Sequence, residues 1–369
     1  MAVTGLGAVT ALADGAGPLL QALCEGRRAI GPGPWESPGW AAACRPGPRP
    51  RATELALAAA RQATTGLADC GGLWVVAGST GADMAQSEDA WLSGRSGEAV
   101  AAGELLWPQL PERVAQVVQT AMGAEGWLSL STACTSGAAA VGVAASLIRS
   151  GRARAALAVG ADAICRVTWS GFGSLRLQAT GPCRPFDRDR NGLNLGDGAG
   201  ALLLEPLEAV LARGDSPLAE LIGYGECVDA YHLSTPHPDG RGLRRAIREA
   251  VDEHPGPDWI CAHGTGTLKN DAVEAGVLGD LFPDRPVSGI KGAIGHTLGA
   301  AGALEAVIAV QSLLEGRAPP TAGLETPGVP LSLLQAVREG PLARCLSVNL
   351  AFGGGNTALY FARPPARAQ

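Results

Sequence analysis

The chain has 369 residues, 46% of them hydrophobic, with charged residues held to 17% and a net charge of −6. That length and apolar content suffice for a large core, in one big domain or two fused halves. The acidic balance argues against sequence-independent binding of nucleic acid, which needs a basic face.

In chain order, AVTGLGAVT reads as a first strand and AGPLLQALCEG as a helix. MAVTGLGAVTALADG has no basic n-region and meets Asp14 early, so it does not read as a signal peptide. Residues 31–52 are rich in proline and predict an irregular excursion. A helix (ATELALAAARQAT) and an apolar strand (GLWVVAGS) follow, then loops and helices over residues 81–126. Next come a strand (GWLSLSTA), a helix built of small residues (SGAAAVGVAASLIRSG) and a strand (ARAALAVGADA). GAGALLLEPL is a strand running into a helix.

From about residue 217 the pattern restarts. A strand (PLAELIGYGECV), a helix (GLRRAIREAVDE), a strand (DWICAHG), a helix (NDAVEAGVLGDLF), a short strand (RPVSGI) and a long helix (GAAGALEAVIAVQSLLEG) lead to two closing strands, ARCLSVNLAFG and NTALYFAR. Strand–helix alternation implies mixed or parallel sheets covered by helices. Two similar halves meeting near residues 205–217 predict a duplication, with boundaries at 1–210 and 211–369. No apolar run reaches the ~18 residues of a membrane span, since the longest patches are interrupted, as by Glu305. The nine cysteines (24, 44, 70, 134, 165, 183, 227, 261, 345) form no C-x-x-C pair. They read as reduced thiols of a cytosolic protein.

Three islands carry chemistry. In STACTSG, Cys134 ends a strand and opens the small-residue helix. There the helix dipole and free N–H groups favour thiolate, so its pKa is expected to fall. In CAHGTGTLKND, His263 follows a buried strand on a glycine-flanked loop, where rigid scaffolds expose reactive groups. In GIKGAIGHTLGAAGA, His296 sits in a matching turn, whereas His232, His237 and His254 lie in polar surroundings. Zinc is the rival use of one Cys and two His, but no local two-ligand spacing supports it. Of 29 basic residues only Lys269 and Lys291 are lysine. Lys291 lies among tiny side chains, where a compact, rotatable amine fits and a guanidinium fork does not.

VTGLGAVTAL, TACTSG, GPCRPFDRDRNGLNLGDGAG, AHGTGTLKNDAVE, GIKGAIGHTLGAAGALEA and FGGGNTAL, spread from residue 3 to about 360, resemble the signatures of β-ketoacyl-acyl carrier protein synthases of the elongating, FabF-like type. The resemblance implies an α/β, thiolase-like five-layer αβαβα fold with two duplicated halves. It implies a decarboxylating Claisen condensation of an acyl-Cys enzyme with malonyl-acyl carrier protein, in fatty-acid or type II polyketide or polyene biosynthesis. Cys134 would be the nucleophile, with the backbone N–H groups of Cys134 and Phe352 as oxyanion hole and Phe352 as gate. His263 and His296 would stabilise the enolate. Lys291 would support the second of these histidines, and Glu274 would organise the same network. Thr265 and Thr267 would hold the phosphopantetheine arm, Phe172 the acyl pocket, and Arg176 the carrier, for which RGLRRAIR at 241–248 is a further candidate. Gly81 would stand where relatives place a bulky aliphatic, leaving a roomier tunnel.

No cofactor is implied beyond the carrier's phosphopantetheine. The partners implied are acyl carrier protein and a second subunit, either a copy of this chain or a chain-length-factor-like one, in the cytoplasm. A non-elongating acyltransferase of the same fold is the alternative. The chain departs from the family pattern at Leu268, usually proline, and in SVNLA ahead of the glycine run. Residues 31–70 are also about thirty residues short.

Overall fold

Gly5 and Gly7 fix the first packing step. A Cβ on either would come within 1.8 or 1.9 Å of the carbonyl oxygens of Ala63 and Ala59, so the helix Ala52–Ala63 lies directly on the strand Ala2–Thr10. The same contact recurs far along the chain. Gly223 and Gly225, on the strand Ala219–Val228, meet the carbonyl oxygens of Ala250 and Ala246 at 1.8 and 2.0 Å, on the helix Arg241–Val251. A glycine pair in the first strand and an alanine pair four apart in the covering helix thus mark both halves.

The structure, a computed structural model, describes residues 1–35, 39–43, 51–67, 71–95 and 106–364. Five strands of the first half lie in the order Ala2–Thr10, Gly198–Glu205, Ala155–Asp162, Leu73–Gly78, Gly126–Leu130. Five of the second half repeat that order: Ala219–Val228, Gly355–Ala362, Arg344–Leu350, Trp259–Cys261, Val287–Ser288. In each set the first two pairings are antiparallel and the last two parallel. The sets join at one corner, where Ala2 and Val3 pair with Glu220 and Ala219.

Two helices fill the middle layer between the sheets, Ser136–Arg149 and Ala301–Glu315. Both are buried on nearly every side, which requires small residues. A Cβ on Gly302 would lie 2.7 Å from that of Ala138, and one on Gly137 would lie 2.8 Å from the amide nitrogen of Ala303. Outer helices cover the far faces, giving the five-layer αβαβα thiolase-like fold with duplicated halves.

Three sequence readings change. The irregular excursion contains the short strands Gly31–Pro32 and Trp40–Ala42, the latter parallel to Leu195–Gly196. Its residues 36–38 and 44–50 lie outside those described. A helix at Arg166–Ser174, not read from the sequence, is capped by Cys165 and Thr168 and buries Trp169. The segment Leu298–Glu315 does have the length and mean hydropathy, 1.4, of a membrane span, but 83% of it is buried inside the fold. Glu305 does not interrupt it because its charge is paired within the protein.

Candidate active site

The turn ahead of each middle helix is strained in the same way. Ala133 (φ 54°) precedes Cys134, and Leu298 (φ 52°) follows His296. Both turns tighten into a 3-10 segment before the helix starts. The two reactive side chains therefore leave their halves at equivalent places and converge: Nε2 of His296 lies 3.1 Å from Sγ of Cys134. His263, from the end of the Trp259–Cys261 strand, brings its ring centroid to 5.3 Å from that of His296, at 89°.

Cys134, His263 and His296 line one cavity of about 390 Å³. Thr265, Thr267, Phe172, Arg176 and Phe352 line it too, with Leu268 and Lys269. Phe172 and Phe352 stack at 5.4 Å, and the hydroxyls of Thr265 and Thr267 lie 3.0 Å apart. Gly81 is not brought into this cavity; its amide donates to Asp162 at 3.1 Å. In the candidate basic helix, Arg244 and Arg245 are engaged by Asp280 and Glu249, at 2.8 and 2.9 Å.

Carboxylates hold the His263 loop from behind. Glu274, on the helix Leu268–Leu281, accepts from the amides of His263 (2.6 Å) and Gly264 (2.9 Å). Burial pushes its carboxyl up to about 8, against those two bonds. Asp271, one turn earlier, accepts from the amides of Thr265 (3.1 Å) and Gly266 (3.1 Å). Gly264 and Gly266 both need positive φ, 41° and 85°, which their absent side chains permit.

Lys291 is 2% exposed and supports His263, where the resemblance implied the second histidine. Its Nζ donates to the carbonyl of His263 at 2.6 Å, lies 3.1 Å from Nδ1 of the same residue, and pairs with Oε1 of Glu305. Three acceptors around one nitrogen explain why the position holds lysine. A planar fork cannot aim three N–H bonds from one point. Glu305 is thus the lysine's acid, while Glu274 reaches the same network through the amide of His263. The signal for Glu305 was a lone carboxylate in an apolar helix, which a buried charge requires to be paired.

Both imidazoles are held well below their ordinary pKa, first by burial and then by the charge of Lys291. They are neutral, and each Nδ1 faces a donor: Lys291 for His263, the amide of Leu298 at 3.2 Å for His296. Each proton therefore sits on Nε2, the atom that for His296 faces Cys134.

The expected fall in the Cys134 pKa is not found. Burial pushes the thiol up to about 11, outweighing Lys291 and the N–H groups of Phe352 and of Cys134 itself, which favour thiolate. The N–H groups act, but on a buried sulfur. Among the described residues, no group of three or more His, Cys, Asp or Glu is placed to hold a metal ion.

The family profile described as "Beta-ketoacyl synthase, N-terminal domain" matches residues 50–209, and "Beta-ketoacyl synthase, C-terminal domain" matches 218–325. A 3-oxoacyl-[acyl-carrier-protein] synthase 2 of Rhizobium meliloti (strain 1021) is 38% identical over 64% of this chain and 60% of its own. The tetracenomycin polyketide synthase ketoacyl synthase alpha subunit of Streptomyces glaucescens is 38% identical over 69% of this chain and 64% of its own. The match thus spans less than two thirds of the length of either. The solved structure of the ishigamide ketosynthase/chain length factor superposes with a TM-score of 0.89 at 30% identity, covering 98% of both chains.

Proposed function

The chain belongs to the β-ketoacyl synthase family, and from that premise we propose that it catalyses a decarboxylating Claisen condensation between an acyl group on Cys134 and malonyl-acyl carrier protein. The observation that carries the reading is the convergence of Cys134, His263 and His296 on one cavity, with both imidazoles held well below their ordinary pKa.

In the first half-reaction the Cys134 sulfur attacks the thioester carbonyl of an acyl carrier. Its proton leaves with the carrier's thiolate, so that acyl-Cys134 and free carrier thiol are formed. The raised thiol pKa makes this proton transfer part of the attack rather than a prior ionisation. The N–H groups of Cys134 and Phe352 receive the developing oxyanion. In the second, malonyl thioester enters and both Nε2–H groups donate to its carbonyl oxygen. The C–CO₂ bond then breaks, its electron pair forming the enolate. The enolate carbon attacks acyl-Cys134, the C–S bond breaks, and the Cys134 thiolate takes a proton from solvent. The product is a 3-oxoacyl carrier two carbons longer. Thr265 and Thr267 line the route of the phosphopantetheine arm, while Phe172 and Phe352 flank the acyl group. Arg176, which lines the cavity together with Lys269, meets the carrier. Lys291 and Glu274 hold His263 in place. No resident cofactor takes part.

The partners in this reading are an acyl carrier protein and a second subunit, either a copy of this chain or a chain-length-factor-like one, in the cytoplasm. The repeated strand order supports a division near residue 210 into two halves of common origin. Fatty-acid and polyketide relatives match alike, so the reaction is proposed for both settings.

Two measurements test the reading. Incubation with acyl carriers should add one acyl mass to Cys134 and none to Cys134→Ala. Incubation with malonyl carrier labelled in the free carboxyl should release labelled CO₂. Acylation without CO₂ release would make the protein a non-elongating acyltransferase; neither would refute the assignment.

A further inference from the structure

Asn349 is fully buried on the strand Arg344–Leu350, behind the cavity rather than in its lining. Its Nδ2 donates to Oε2 of Glu305 and stands 3.5 Å from Nδ1 of His263. The other oxygen of Glu305 accepts from Lys291, whose amine is 3.1 Å from the same Nδ1. Asn349, Glu305, Lys291 and His263 thus close a ring of four side chains, each reaching two others. Around Nδ1 of His263 stand two donors. Turning the Asn349 amide over would set its oxygen against the Glu305 carboxylate, acceptor against acceptor, so its orientation is fixed by its partner.

Asn349 also carries a cost. Its Oδ1 is buried without a hydrogen-bond partner, an arrangement that destabilises a fold and that a residue kept for packing alone would avoid. We infer that Asn349 is a positioning residue: by clamping Glu305 against Lys291 it keeps His263 as the Nε2–H tautomer that faces the malonyl carbonyl. This inference rests on the proposed condensation. The ionisable groups facing the ring are His296, Cys134, Cys261 from the neighbouring strand, and Glu274.

Asn349→Asp keeps the shape, removes the donor and sets a second carboxyl beside Glu305; Asn349→Ser keeps a shorter donor. The Asp variant should lose about ten-fold or more in kcat for CO₂ release from malonyl carrier, with little change in KM. It should also displace the pH profile of that step while still acylating Cys134. The Ser variant should recover part of the rate. Nitrogen-15 NMR of the histidines supplies a readout independent of turnover. His263 should be the Nε2–H tautomer in the natural protein and should populate another form in the Asp variant, and to a smaller extent in the Ser variant. An unchanged tautomer and pH profile in whichever variants fold would overturn the inference. Absence of CO₂ release from the natural protein would sink the function instead, and the tautomer comparison would still decide the role of Asn349.

Discussion

Cys134 is the residue at which two opposing effects can be weighed. A helix start and two N–H groups favour the anion, and Lys291 adds its charge. Removal of water opposes all of them and prevails, leaving the thiol near 11. The protein therefore rests as a neutral Cys–His pair, with a nucleophile released only when an acceptor for its proton has arrived. This has a direct consequence for alkylation. At a given iodoacetamide concentration, the rate at the Cys134 peptide should rise about ten-fold per unit between about pH 6 and pH 9 and show no plateau there, because only the thiolate reacts. A plateau near neutrality, read by mass spectrometry of that peptide, would mean that the anion forms at rest. Burial and the charge of Lys291 hold both His263 and His296 well below their ordinary pKa, which keeps their titration out of the alkaline part of this profile.

Secondary-structure elements carry the duplication. The sequence shows strands and helices restarting after residue 217, because hydrophobic periodicity is local. It conceals the pairing of GLG with an alanine pair and of GYG with another, because each pair matters only when the covering helix is laid on its strand. The contact is between Cα and a backbone carbonyl, so it cannot relax by a rotamer change. Gly223→Ala should therefore destabilise by about 1–3 kcal/mol, and Gly5→Ala by a similar amount, with both read as a lowered denaturant midpoint at constant m. Unaltered midpoints in both would show that the helices can retreat. Sequence reading fails for a similar reason at Arg166–Ser174. RVTWSGFGS has little helical propensity, and the helix is held instead by its cap and by Trp169, on which Gly33 and Gly39 close. Glu305 was legible as an anomaly but not as a partner, since Lys291 lies across a turn and Asn349 on a strand 44 residues further along the chain.

At the scale of the whole molecule, the two ends of the sheet are finished differently. Beyond Val287–Ser288 the chain covers its own edge: the amide of Val287 donates to Ser332 and the amide of Leu334 to Val287, each at 2.9 Å. At the other end Gly126–Leu130 pairs only with Leu73–Gly78 among the described strands. Leu128 on it is exposed. An open edge that exposes a leucine invites strand pairing with another chain, and a composition of only 17% charged residues suits a surface partly covered. The strand also leads into the Cys134 turn, so a partner there would brace the nucleophile's approach. In light scattering the protein, alone or co-purified with a chain-length-factor-like subunit, should show about twice the 37.3 kDa of one chain. Leu128→Lys, which sets a charge into that edge, should lower the mass to that of one chain while leaving the far-UV spectrum intact. A single-chain mass for the natural protein under both conditions would show that this edge is closed by other means. A Leu128→Lys variant that stays paired would place the interface on another face.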